Sequence, residues 1–216
     1  MSFNRFAQRY DQLAHLQRAV AARLAAQVTP TGLGIDLGSG TGFVGQSLPK
    51  GQWIEVDRSP DMLACSVHTD RVVADAQALP FADESFDWGV SSLAMQWMRD
   101  AHDFLRVLRK GARYQVAIVV AGSLPQLHRA RQVAGVSSGV ALRDAEFWRH
   151  QLPGDHRLET LDVHFDSPRQ TLASVRDIGA SGAPGPSLSR QQHRQLLEAL
   201  GCTLSYQILW IQGERT

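Results

Sequence analysis

The stretch Gly34-Ile35-Asp36-Leu37-Gly38-Ser39-Gly40-Thr41-Gly42 decides the fold of this chain. Leu33, Ile35 and Leu37 supply the apolar positions of a buried strand. The glycines that follow let backbone N–H groups approach a ligand that a Cβ would push away. Asp36 sets a carboxylate near the strand's carboxyl end, where ligands of open α/β sheets gather. The stretch therefore predicts a strand running into a glycine turn that opens a helix, with a nucleotide-like cofactor on the turn.

Gly40-Thr41-Gly42-Phe43-Val44-Gly45 also satisfies the G-x-G-x-x-G dinucleotide pattern, which alone is weak evidence. The aspartate two residues before Gly38 separates the readings. A nicotinamide dinucleotide would lay its pyrophosphate on this turn and be repelled by the carboxylate. S-adenosylmethionine carries an ammonium and a sulfonium and no phosphate, so the local electrostatics favour it.

Downstream of the turn, a helix over 42–48 is stopped by Pro49 and Gly51, and a second strand, Trp53 to Val56, ends on Asp57. Ser59-Pro60-Asp61 supplies an N-cap with proline at the first helical position, opening a short helix that carries Met62 and Leu63 inward. A third strand, Arg71 to Ala74, ends on Asp75, and Phe86 to Ser92 makes a fourth. A helix from Asp100 to Arg109 precedes a fifth strand, Tyr114 to Val120, whose near-continuous apolar run suits a strand buried on both faces. This alternation predicts a doubly wound parallel sheet with its chemistry at the carboxyl ends, where Asp36, Asp57, Asp75 and Ser91 fall.

Upstream, Leu13, Leu16, Val20 and Leu24 make an apolar stripe between Phe6 and Gln27, a helical segment before the sheet. Beyond the fifth strand, residues 123–150 read as helical but interrupted at Gly135 to Gly139, a mobile covering element. Leu161, Val163 and Phe165 alternate as a strand and Leu172 to Ile178 as a helix. Ala180 to Pro186 form a loop, Ser189 caps a helix through Leu200, and Thr203 to Ile211 is a last strand. The expected fold is a Rossmann-like α/β domain with a mostly parallel seven-stranded sheet, an N-terminal helix and a helical lid insertion. Residues 1–216 form one domain. In it 1–30 cap the site, 31–121 bind the cofactor, 122–158 and about 168–188 cover the substrate, and 159–216 complete the sheet.

The 22 Lys+Arg against 21 Asp+Glu leave a net charge of +1, so no global field advertises nucleic acid or a membrane surface. Cys65 and Cys202 stand alone, outside any C-x-x-C or metal-ligand spacing, and the eight histidines show no H-E-x-x-H spacing. The cysteines are read as buried or incidental thiols of a reducing compartment and the histidines as surface or packing residues, and no metal site is expected. There is no run of ~18 apolar residues. A cytoplasmic monomer is expected.

Asp36-Leu37-Gly38-Ser39-Gly40-Thr41-Gly42, Asp57 and Asp75-Ala76 resemble successive cofactor-contact stretches of class I S-adenosylmethionine-dependent methyltransferases, over roughly 30–121. Four further stretches are similar to the malonyl-acyl-carrier-protein O-methyltransferases of biotin synthesis and extend the resemblance to nearly the whole chain. They are Phe6-x-x-x-Tyr10-Asp11-x-x-Ala14-x-Leu16-Gln17, Ser91-Ser92-Leu93-Ala94-Met95-Gln96-Trp97, Gly122-Ser123-Leu124-Pro125-Gln126-Leu127 and Ile178-Gly179-Ala180. The resemblance implies that the Gly38-Ser39-Gly40 backbone lies against the methionine part, with Asp36 near its ammonium. It implies that Asp57 binds the ribose hydroxyls, with Arg58 and Met62 beside it, and that Asp75 and Ala76 meet the adenine. Ser91 would face the methionine through its carbonyl, with Leu93 close by. Tyr10 and Gln17 would close over the cofactor. Where many members carry Pro-Gly-Gly before the fifth strand, this chain reads Arg109-Lys110-Gly111-Ala112-Arg113, a changed turn that should leave the site intact.

Methylating a carboxylate needs no catalytic base, because a carboxyl of reference pKa about 4 is already ionised at neutral pH. Positioning is what remains, by Tyr10, Gln96 and Trp97. The implied reaction moves a methyl from S-adenosylmethionine, leaving S-adenosylhomocysteine, to malonyl on an acyl-carrier protein. Tyr10, Trp97, Ser123, Arg129, Arg131, Arg143 and Arg176 are the substrate-side candidates, the arginines because the acceptor is anionic and carrier proteins are acidic. Competing readings are a methyltransferase for another small acid or a quinone precursor, and a non-catalytic cofactor-binding assembly factor.

Overall fold

The computed structural model describes residues 15–136, 141–177 and 188–216. Helix α1 (His15–Ala25) buries Leu16, Val20, Ala21, Leu24 and Ala25, the expected stripe save for Leu13, which lies outside the described residues. Strand β1 (Leu33–Leu37) leads through the glycine turn into α2 (Phe43–Ser47), and β2 (Gln52–Asp57) into α3 (Pro60–Leu63). The Ser59 side chain caps α3 by accepting a hydrogen bond from the Met62 N–H. Then follow β3 (Arg71–Val73), β4 (Phe86–Ser92), a single 3-10 turn (Met95–Trp97), α4 (His102–Val107) and β5 (Leu108–Val119). The remaining elements are α5 (Pro125–Val133), α6 (Ala145–Gln151), β6 (Asp155–His164), α7 (Pro168–Asp177), α8 (Arg190–Leu200) and β7 (Thr203–Glu214). Ser189 and Gln192 open α8 with a reciprocal capping box.

The seven strands form one sheet in the order β3-β2-β1-β4-β5-β7-β6. β1 to β5 pair in parallel, and β7 runs antiparallel to both of its neighbours, β5 and β6. The fold is the doubly wound, mostly parallel Rossmann-like sheet that the alternation predicts. Alternating side chains divide the core between the two sheet faces. On one face Val20 of α1, Phe43 of α2, Leu127 of α5 and Leu196 of α8 pack with Trp53, Trp88 and Tyr206. On the other, Phe104 and Val107 of α4 and Trp148 of α6 join Ile35, Leu37, Val116 and Ile118. Gly34 is required on the first face, because a Cβ there would stand 2.0 Å from the Trp88 indole.

Two expectations about the fold are corrected. The helix predicted to run to Arg109 ends at Val107, and β5 begins at Leu108 instead of Tyr114. Leu108 lies opposite Phe86 and Arg113 opposite Trp88, so residues 109–112 form an irregularity at the amino end of β5. It is held from afar: the Gly111 N–H donates to the Arg215 carbonyl and the Arg215 N–H to the Ala112 carbonyl, at 2.8 and 2.9 Å. The changed turn thus lies at the opposite end of β5 from the strand termini that gather the site.

The second correction concerns the expected cover over 122–158. α6 lies within that segment, yet Trp148 is 0% exposed and belongs to the core beneath the sheet. α6 is a core helix. The expectations for Phe6, Tyr10, Asp11, Ala14, Ser138, Gly139, Ile178, Gly179 and Ala180, and for the 180–186 loop, lie outside the described residues.

Candidate functional site

The carboxyl ends of β2, β1, β4 and β5 follow one another across the sheet, and the first chain reversal in strand order falls between β1 and β4. Such a switch point opens a crevice, because helices leave to opposite faces on its two sides. A cavity lies there. Its lining runs from Asp57 and Met62 past Asp36 and Gly38 to Thr41, then to Ser92 to Ala94, Gln96 and Trp97, and on to Val119, Ser123, Leu127 and Arg131. Leu16 and Gln17 of α1, with Phe43, Val44, Leu142 and Tyr206, complete the walls.

The glycine turn is bound to its own scaffold. The Gly38 and Ser39 N–H groups both donate to the Val56 carbonyl, at 2.7 and 3.1 Å. Asp57 accepts from the Gly40 N–H through Oδ2 at 2.9 Å and from the Ser59 N–H through Oδ1 at 2.8 Å. Each carboxylate oxygen keeps a lone pair for a ligand hydroxyl. Gly38 holds φ +72°, and a Cβ on it would meet Ala94 Cβ at 2.2 Å. The facing wall is also unusual: Leu93 adopts φ +50°, and the Gln96 amide donates to its carbonyl. A non-glycine residue in the left-handed region needs surrounding contacts to hold it.

Asp36 is the most informative side chain of the cavity. It is 0% exposed, and neither carboxylate oxygen has a hydrogen-bond partner. Its register partner across β1–β2 is Glu55, also wholly buried and without a partner for either oxygen. Desolvation, then the charges of Glu55 and Asp57, raise the Asp36 pKa well above the ordinary carboxylate range. A buried acid of this kind is complementary to a cationic ligand group, and the ammonium of S-adenosylmethionine fits it.

The linkage has a definite sign. The folded chain holds the Asp36 proton more tightly than the unfolded chain, so stability falls as pH rises from about 4 through the raised folded-state value. Asp36→Asn, measured without cofactor, should flatten the decline in unfolding midpoint that sets in above about pH 4. The same substitution should weaken S-adenosylhomocysteine binding at neutral pH by roughly 10–100-fold, the worth of a hydrogen bond to a charged group. An unchanged pH slope together with unchanged affinity would remove Asp36 from the cofactor site.

Of the residues singled out in the sequence, Gln17, Asp36, Gly38, Ser39, Gly40, Asp57, Met62, Leu93, Gln96, Trp97, Ser123 and Arg131 line this cavity. Others do not. Arg58 is exposed and Asp75 and Ala76 follow β3 outside the lining, with Asp75 Oδ1 accepting from the Gln77 N–H at 2.9 Å. The Ser91 side chain is wholly buried, and its hydroxyl donates to the Leu37 carbonyl at 2.9 Å, tying β4 to β1; the contact expected of Ser91 is through its backbone carbonyl and does not involve that hydroxyl. The ladder continues past it, since the Leu93 N–H donates to the Ala117 carbonyl, and Ser92 and Leu93 line the cavity.

Ser123 lines the cavity, but its hydroxyl is committed to the framework, donating to the Val120 carbonyl and accepting from the Gln207 N–H, each at 2.8 Å. Arg129 is exposed on α5, and Arg143 is exposed with its guanidinium 4.8 Å from the Phe147 ring. Tyr10 and the side chain of Arg176 lie outside the described residues. The sequence reading missed Tyr206 and His128, which line the cavity; burial raises the Tyr206 pKa. His128 directly follows Leu127 on α5, a placement that only the packing of that helix reveals.

A family model described as a methyltransferase domain matches residues 35–115. The chain is 30% identical to the malonyl-acyl-carrier-protein O-methyltransferase of Marinomonas sp. strain MWYL1, across 99% of this chain and 92% of that protein. It is 32% identical to the protein of the same name from Halorhodospira halophila, across 85% of this chain and 72% of that protein. A SAM-dependent methyltransferase structure from Thermotoga maritima matches with a TM-score of 0.58 at 16% identity, covering 99% of this chain and 97% of that one. At that identity the likeness is one of fold, the class I methyltransferase fold.

Proposed function

This chain belongs to the malonyl-acyl-carrier-protein O-methyltransferases, and from that membership we propose that it esterifies the free carboxyl of malonyl on an acyl-carrier protein, with S-adenosylmethionine as methyl donor. The observation that carries the reading is the unpartnered, buried Asp36 at the head of the glycine turn. It offers a site for the donor's ammonium beside Asp57, whose free lone pairs suit ribose hydroxyls. When bound, S-adenosylmethionine supplies a methyl group on a positively charged sulfur and leaves as S-adenosylhomocysteine.

The protein's part is positioning. The acceptor carboxylate is ionised at neutral pH, and alignment of well-oriented reactants alone supplies roughly 7–11 kcal/mol. Gln96, whose Oε1 is buried without a partner, and Trp97, 46% exposed on the same cavity wall, orient the acceptor together with Tyr10. Asp75 and Ala76, after β3, serve the adenine side. The methyl ester removes a charge whose burial in an apolar channel is costly, which lets chain-elongating enzymes accept the product as an apolar acyl group. The protein acts as a monomer in the cytoplasm, a compartment that keeps the free thiols of Cys65 and Cys202 reduced. Among the described residues no helix is long and apolar enough to cross a membrane.

Transfer of labelled methyl from S-adenosylmethionine should favour malonyl-acyl-carrier protein over malonyl-CoA and free malonate by at least about tenfold in kcat/KM, a margin of ~1.4 kcal/mol. Cofactor binding without transfer to any of the three would overturn the substrate assignment and leave the fold assignment standing.

A further inference from the structure

An anionic acceptor has to enter a cavity that already presents two acidic side chains, Asp36 and Asp57. The bound donor's sulfonium offsets that charge, but an acceptor carboxylate that gives up its hydration in the cavity still needs donors of its own. Among the described residues, an arginine stands on the far side of the cavity. Arg131 lies on α5, which leaves the carboxyl end of β5, whereas Asp57 ends β2, three strands away in the sheet order.

Helix geometry explains why this arginine faces inward. Leu127 and Arg131 are four residues apart and share a helix face, and both line the cavity. Arg129, two residues from Leu127, falls on the exposed side. Arg131 is half-buried, and among the described residues no carboxylate forms an ion pair with it. Burial draws its pKa downward, the shift expected of a guanidinium without a compensating anion. Its neighbours on that wall include the apolar Leu127, Leu142 and Tyr206 ring, which would exclude water from an ion pair formed there.

We propose that Arg131 is the residue that grips the acceptor's free carboxylate, and that it thereby selects acyl thioesters ending in an acid over neutral acyl groups. The inference rests on the malonyl-thioester reading given above. The guanidinium fork holds the carboxylate while leaving a lone pair on one oxygen for attack. That oxygen forms a bond to the methyl carbon as the carbon–sulfur bond breaks, its electron pair passes to sulfur, and no proton moves. The sulfonium charge and the carboxylate charge disappear together. Arg131 is then left facing a neutral ester, so the charge-assisted contact that recruited the substrate no longer retains the product.

Arg131→Met preserves most of the side-chain volume and removes the charge. The variant should raise KM for malonyl-acyl-carrier protein by roughly 10–100-fold. With S-adenosylhomocysteine bound, the wild-type protein should bind malonyl-carrier far more tightly than acetyl-carrier, and the variant should bind the two alike. S-adenosylhomocysteine affinity should be unchanged, and Arg131→Lys should recover part of the lost selectivity. If the wild type transfers methyl and Arg131→Met keeps its KM and its malonyl preference, the assignment of Arg131 is overturned while the proposed function stands. Loss of S-adenosylhomocysteine binding in both variants would likewise overturn it, as the mark of a structural residue. A wild type that transfers to no malonyl thioester instead removes the function on which the inference rests.

Discussion

Gly38→Ala should lower S-adenosylhomocysteine affinity by about 100-fold or more while the chain still folds. Two costs add at this position. A residue with a Cβ at φ +72° is unfavourable by roughly 1–2 kcal/mol. The new methyl would also lie 2.2 Å from Ala94 Cβ, well inside contact distance. Relief requires moving either the glycine turn or the segment from Leu93 to Trp97 that forms the opposite wall. Both movements deform the cavity, so the loss falls on binding more than on stability. The double variant Gly38→Ala/Ala94→Gly removes the collision and keeps the backbone cost, and should recover most of the affinity in calorimetric titration. Equal affinity of Gly38→Ala and wild type would show that the cofactor does not use this turn.

Trp148→Ala should cost about 3–5 kcal/mol of stability, read from the midpoint of urea unfolding at constant slope. The side chain is fully enclosed and packs edge-on against Phe147, with ring centroids 5.1 Å apart. Against a typical total of ~5–15 kcal/mol, the loss is large enough to leave the variant marginally stable. Trp148→Phe should cost much less, because it keeps most of the packing and deletes an indole N–H that has no hydrogen-bond partner. Cofactor affinity of the folded fraction should be the same in all three proteins. A cover helix would behave in the opposite way, with small changes in stability and large changes in turnover.

Trp148 also illustrates what a single sequence hides. Phe147-Trp148 is a short apolar pair in a polar helix, and which wall it meets depends on β5 and β7, which are distant in sequence. Where local chemistry decides, the sequence was legible: β1 and β4 have the predicted limits, because apolar runs are ended there by a glycine turn and by a left-handed Leu93. The Ser59 and Ser189 caps were readable for the same reason. Gly111 misled because it resembles a helix stop; its φ of +78° serves pairing with Arg215, near the far end of the chain. Ser92 was not singled out because a shift of one position along a strand end changes which side chain meets the cavity, and only the ladder fixes that. The turn after β1 was legible since its backbone geometry is written into glycines. Separating Arg131 from Arg129 required knowing which face of α5 looks inward.

The antiparallel strand β7 has a consequence for the order in which the protein is made. β7 lies between β5 and β6 in the sheet but follows both in the chain, and β6 has no other strand partner among the described residues. During synthesis the five parallel strands can associate as they leave the ribosome, while β6 emerges with nothing to pair with. Until Thr203 and the residues after it appear, β5 presents an open edge and β6 a second, both able to recruit a foreign strand. A ribosome stalled between β6 and β7 therefore displays five paired strands beside two unsatisfied edges, an aggregation hazard until one final strand closes the sheet.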